Sequence, residues 1–122
     1  MTRADGRREQ PPPPPEPLRV PVLDSHTHLD LVGGDPAESI AAARAVGVDR
    51  LVQVGVDLPS SRWSVRLARA EPAVHATVAL HPNEAPRLAD LDAALREIEE
   101  LAGQSEVRAV GEIGRASCRE RV

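Results

Sequence analysis

The stretch Val22-Leu23-Asp24-Ser25-His26-Thr27-His28-Leu29-Asp30 is an apolar run that ends in two histidines separated by one residue. In a strand, residues i and i+2 project from the same face, so His26 and His28 are aimed at one spot. Two imidazoles with an acid just before them can start a site for an ion such as Zn²⁺ or Mn²⁺. The plainer alternative is a pair of hydrogen-bonded core histidines. His81 stands before Pro82, as a turn residue or as a side chain facing a pocket. Glu112 sits beside Gly111 and close to Gly114. Glutamate is rarely buried without a partner, so it is either a cation ligand or a solvated loop acid. Asp57, in Asp57-Leu58-Pro59, reads as an ordinary turn into a helix, with a pocket residue as the sharper alternative.

The elements that must position these residues are legible in order. Val20, Val22 and Leu23 predict a first strand with the histidine pair at its C-terminal end, and Leu29 and Leu31 continue into a loop closed by Gly33 and Gly34. Asp35 as N-cap, Pro36 at the first helical position and Glu38 at the third start a helix that should stop near Gly47. Asp49 to Val56 predicts a buried strand. A second helix starts at Pro59 and Ser60, with Trp63, Leu67 and Ala70 on one face, and ends at Glu71-Pro72. Val74 to Leu80 is a third strand. Leu88, Leu91, Leu95, Ile98 and Leu101 recur at helical spacing until Gly103, and Val107 to Val110 is a fourth strand. Four strands alternating with three helices predict an α/β fold with parallel strands. His26, His28, Asp57, His81 and Glu112 then all lie at C-terminal ends of strands, which in a parallel barrel form one rim, the place where active sites are built.

Composition sets limits on this reading. The chain has 122 residues, one Trp, no Phe and no Tyr, so its core must be aliphatic. A formal charge of −4 lacks the basic footprint of a dedicated nucleic-acid binder, but it leaves room for an enzyme that holds phosphates through metal ions. The single cysteine, Cys118, has no partner for an internal disulfide. No apolar run approaches the ~20 residues of a membrane span and the N-terminus lacks a signal peptide's apolar core, so the expected setting is cytoplasmic. Residues 1–19, with Pro11 to Pro15, offer little to bury and are expected to be an unstructured, polyproline-like tail.

Four motifs taken together, Asp24-Ser25-His26-Thr27-His28-Leu29-Asp30, Val54-Gly55-Val56-Asp57, Ala79-Leu80-His81-Pro82 and Gly111-Glu112-Ile113-Gly114, resemble the successive strand-end motifs of the TatD family of metal-dependent deoxyribonucleases. The resemblance runs in order from about Val20 to Gly114. It implies a (β/α)₈ TIM barrel of which residues 20–112 are the first half, and two divalent ions, Mg²⁺, Mn²⁺ or Zn²⁺. It also implies His26 and His28 as ligands of the first ion, Glu112 as a bridge between both, and His81 facing the scissile phosphate of a DNA substrate. An amidohydrolase acting on a carbon–nitrogen or ester bond uses the same barrel and His-x-His pair, and a non-catalytic metal- or partner-binding half-barrel is the third reading.

An eight-fold barrel needs ~250 residues. The family's later ligands, two histidines and an aspartate from the fifth, sixth and eighth strands, have no counterpart here, so the chain alone is expected to be inactive or nearly so. Residues 113–122 depart from the family's usual continuation and resemble the in-frame translation of a sequencing-library adapter. On that expectation the tail, Cys118 included, is non-native, and Ile113 and Gly114 match the family by coincidence.

Overall fold

The computed structural model describes residues 10–111. The expectations that fall on Glu112 and on the 113–122 tail lie outside those residues.

Four strands, β1 (Val22–Thr27), β2 (Val48–Val54), β3 (Val74–Val78) and β4 (Val107–Val110), form one sheet in the order β1-β2-β3-β4, every pair parallel. Helices α1 (Leu29–Val32) and α2 (Pro36–Ala45) join β1 to β2, α3 (Leu58–Ala70) joins β2 to β3, and α4 (Leu91–Ala102) joins β3 to β4. Strands adjacent in sequence are adjacent in space, and each crossover carries a helix. This is the α/β arrangement expected from the sequence, and it is consistent with part of a TIM barrel. The core lies between the sheet and the helices: Leu51, Val74, Ala76 and Val78 from the strands meet Ile40, Val65 and Ile98 from α2, α3 and α4. Among the described residues no helix is long and apolar enough to cross a membrane.

The helix boundaries follow local chemistry. Asp35 accepts from the Ala37 N–H at 2.9 Å with Pro36 at the first helical position, as expected. Gly47, at φ +96°, completes the turn out of α2, where the Leu18 N–H donates to the Val46 carbonyl at 2.9 Å. A Cβ on Gly47 would stand 3.0 Å from the Leu18 Cβ, so the turn and the approach to β1 are packed together.

Three details differ from the pattern-based expectation. Leu29 and Leu31 belong to a single helical turn, α1, and not to a loop. Leu88 precedes α4, because Asp90 caps the helix by accepting from the Ala93 N–H at 2.9 Å; Ala85–Arg87 form a separate 3₁₀ turn. The third difference concerns the face of α3. Leu67 is buried and Trp63 is half-buried against the core as anticipated, but Ala70 is exposed. The deepest positions are Ser61 and Ser64, both 0% exposed. The small serines let α3 lie close to the sheet. Their hydroxyls are satisfied, one within the helix and one across to the chain after β3: Ser64 Oγ donates to the Ser60 carbonyl at 2.8 Å, and Ser61 Oγ accepts from the Ala79 N–H at 3.2 Å.

Opposite that contact, Gly55 has no room for a side chain. A Cβ there would meet Ser61 Oγ at 2.5 Å and Ser61 Cα at 2.7 Å. On the outer surface the Arg62 guanidinium bonds both Glu97 oxygens, tying α3 to α4. Arg69 Nε donates to Glu106 Oε1 at 3.0 Å, tying α3 to the turn before β4.

Candidate metal centre

Parallel pairing puts the C-terminal ends of all four strands at one edge of the sheet. His26 lies near the end of β1, His28 follows it, Asp57 follows β2 and His81 follows β3. The loops beyond the strands stay joined, since the His81 N–H donates to the Val56 carbonyl at 2.6 Å and the Gly111 N–H to the Val78 carbonyl at 3.1 Å.

The two histidines of β1 come together as the i, i+2 spacing predicts. Their Nε2 atoms are 3.1 Å apart, with ring centroids at 4.9 Å and planes inclined at 74°. Two nitrogens each ~2.1 Å from one Zn²⁺, with a ligand–metal–ligand angle of roughly 90–110°, stand ~3.0–3.4 Å apart. The spacing is compatible with one cation shared by both nitrogens, and equally with an Nε2–H···Nε2 hydrogen bond between the rings when no cation is bound. Among the described residues no group of three His, Cys, Asp or Glu side chains gathers around a common point.

The hydrogen bonds of each ring fix its tautomer. His28 Nδ1 lies 3.2 Å from the Val54 carbonyl oxygen. A carbonyl only accepts, so Nδ1 carries the hydrogen and the Nε2 lone pair is turned toward His26. At His81 the order is reversed: Nδ1 accepts from the Asn83 N–H at 3.0 Å, which in the neutral ring leaves the hydrogen on Nε2. In the neutral rings, the Nε2 of His28 thus carries the lone pair and the Nε2 of His81 the hydrogen.

Several positioning residues carry no sequence motif. Thr27 Oγ1 donates to the Val52 carbonyl at 2.8 Å, which pins the residue between the histidines to β2. The carbonyls of Val52, Val54 and Val56 thereby hold Thr27, His28 and the His81 backbone in turn, and the main chain of β2 and its extension spaces the site. Gln53, fully buried in the same strand, accepts from the Leu29 N–H at 2.7 Å and donates to Asp30 Oδ1 at 2.8 Å. It locks the turn that follows His28. Its sequence signal was its polarity inside the apolar run Leu51-Val52-Gln53-Val54, because a buried amide needs partners. Asp24 Oδ1 accepts from the His26 N–H at 3.1 Å, so the acid before the pair shapes its backbone.

Asp57 is the N-cap of α3. Its Oδ1 accepts from the Ser60 N–H at 2.8 Å and from Ser60 Oγ at 2.6 Å, while Ser60 Oγ accepts in turn from the Val56 and Asp57 N–H groups. This is the reciprocal capping box, so the turn-into-helix reading describes its contacts. It also borders a hollow, described below.

With this geometry in view, comparison with known proteins is informative. The family model described as "TatD related DNase" matches residues 23–121. The chain belongs to the TatD family. An uncharacterized metal-dependent hydrolase TatD of Mycobacterium tuberculosis is 43% identical over 97 residues, covering 76% of this chain and 36% of that protein. The uncharacterized metal-dependent hydrolase YabD of Bacillus subtilis is 32% identical over 95 residues with the same coverages, 76% and 36%. A 3'-5' ssDNA/RNA exonuclease TatD of Cronobacter sakazakii is 36% identical over 80 residues, 66% of this chain and 30% of that protein. The chain thus spans about a third of the length of the curated relatives it matches.

Proposed function

We propose that this chain supplies the first metal-ligand pair and a phosphate-facing histidine of a divalent-metal-dependent phosphodiesterase that hydrolyses DNA. The observation that carries the proposal is the 3.1 Å separation of the His26 and His28 Nε2 atoms, with the His28 lone pair turned inward by its Nδ1 bond to Val54. The relatives' descriptions as metal-dependent hydrolases and as a single-strand exonuclease supply the metal and the substrate class.

Bound divalent cations supply a water acidic enough to attack at neutral pH and offset the charge of the phosphodiester. His26 and His28 would hold the first of two such ions. Imidazole ligands favour Zn²⁺ or Mn²⁺ over Mg²⁺ there. Glu112, the residue after Gly111 in the sequence, would supply a carboxylate to the second ion, as the family resemblance implies. His81 offers its Nε2 hydrogen to a phosphate oxygen and so orients the ester. Gln53 and the β2 carbonyls keep these groups at fixed height. The protein works in the cytoplasm on exposed strand ends. Because the matched relatives continue well beyond this segment, the 122 residues by themselves bind metal but turn over little or no substrate.

Calorimetric titration of the chain with Zn²⁺, Mn²⁺ and Mg²⁺ tests the first part. Binding of Zn²⁺ or Mn²⁺ should fall by at least ~10-fold in His28→Ala and be little changed in His81→Ala. Equal affinities in the two variants would remove the His26–His28 centre. Assay of a protein extended to the relatives' length, on single-stranded DNA and on a cyclic amide in parallel, tests the second part. Turnover of the amide alone would replace the nuclease with an amidohydrolase.

A further inference from the structure

At the start of α3 lies an open hollow of about 320 Å³ lined by Asp30, Asp57, Pro59, Ser60 and Trp63. Asp30 follows His28 by two residues in the sequence and is held by the Gln53 amide. Trp63 is the chain's single Phe, Tyr or Trp side chain. It is half-buried against the core, and with Pro59 it gives the hollow flat apolar surface.

The polar groups of the hollow decide what can enter. In both carboxylates the contacts among the described residues fall on Oδ1: Gln53 donates to it in Asp30, and Ser60 donates to it in Asp57. Oδ2 of each is left to accept from a ligand. A phosphate is unsuited to this place. Two carboxylates repel it, and the N–H groups of Val56, Asp57 and Ser60 at the start of α3 are already taken by the capping box. A flat, uncharged group rich in N–H donors meets both features, since every nucleobase has a π-face and the amino-bearing bases have N–H edges that carboxylates read.

We propose that this hollow is a base-binding subsite. It takes one unpaired cytosine or guanine, stacked on Trp63 and hydrogen-bonded through its N–H groups to Asp30 and Asp57. The inference rests on the nuclease reading and adds to it a preference for cytosine and guanine over thymine at one subsite.

The test is a titration of the full 122-residue chain in chelator, read from the indole N–H resonance of Trp63. Deoxycytidine and deoxyguanosine should shift that resonance saturably, about tenfold more tightly than thymidine, the worth of one charge-assisted hydrogen bond. Deoxyribose 5-phosphate should leave it in place. Asp57→Asn keeps a good helix cap, and Asp30→Asn keeps the acceptor that Gln53 uses. Both should retain the folded spectrum and lose the preference over thymidine. Trp63→Leu, with metal binding as its check of folding, should abolish nucleoside binding read on neighbouring resonances. Equal response to all nucleosides, no saturable response, or a response to spermidine in place of nucleosides would each overturn the subsite. Metal binding through His26 and His28 with an unmoved indole resonance refutes the subsite alone. A shifted resonance in a chain that binds no metal refutes the metal centre alone.

Discussion

The two kinds of histidine at the rim are separated by what each Nδ1 touches. His28 Nδ1 faces the Val54 carbonyl and must donate, whereas His81 Nδ1 receives the Asn83 N–H and must accept. Motif spacing finds the His26–His28 pair because the strand period of two is built into the backbone. It does not find Gln53, whose partners Leu29 and Asp30 lie 24 and 23 residues away in sequence. Replacing Gln53 with Leu leaves the Leu29 N–H and the Asp30 carboxylate without their partner. We expect a loss of ~1–3 kcal/mol in denaturant unfolding and a ~10-fold weaker metal affinity from the loosened turn after His28. Unchanged metal affinity would show that the turn does not orient the ligand.

Elements are positioned by contacts that single-sequence periodicity reads only in part. Caps were legible, since Asp35, Pro36 and Gly47 act where their chemistry predicts. The burial of Ser61 and Ser64 was not, because a helix face is sought among apolar residues and these serines satisfy their hydroxyls after docking. The close approach they permit makes Gly55→Ala costly: with Ser61 Oγ and Cα inside 3 Å of the new methyl, α3 must shift. A destabilisation of ~1–3 kcal/mol is expected in urea unfolding; a stability equal to the parent's would mean that the helix moves freely over the sheet.

The α3–α4 contact carries a pH signature. The Arg62 guanidinium holds the Glu97 carboxyl below its ordinary value, chiefly through their hydrogen bonds. A lowered carboxyl contributes stability that is complete above the ordinary value of 4.5 and is lost as pH falls through the lowered one. Both side chains are substantially exposed, so screening keeps the effect modest. Thermal melts from pH 7 to 3 should show a shallower acid decline in Glu97→Gln than in the parent. Parallel declines would mean that the pair adds nothing.

At the scale of the molecule, the described sheet ends in two open edges, β1 and β4, with Val22, Leu23 and Val110 exposed beside them. Leu91 and Leu95 are exposed on α4 as well. Edges of this kind pair with other chains unless covered. Sedimentation of the chain over a range of concentrations is expected to show association, and a concentration-independent monomer would contradict it. The alternation of strand and helix made the sheet order readable because sequential parallel units have few ways to pack. What covers the edges was not readable, since that depends on surfaces beyond the described residues.

The row of carbonyls at Val52, Val54 and Val56 changes how this site should tolerate mutation. What it offers Thr27, His28 and His81 is main chain, identical for every amino acid, so the half-buried side chains at Val52 and Val56 are free to drift among residues that keep the backbone extended, whereas buried Val54 must stay apolar. Proline at the intervening Gly55 is the contrasting case: it removes the N–H that bonds the Thr77 carbonyl at 3.0 Å and bends the row itself. A mutational scan across residues 52–56 should therefore sort mainly by backbone conformation and volume, with side-chain chemistry decisive only at Gln53 and at the buried Val54.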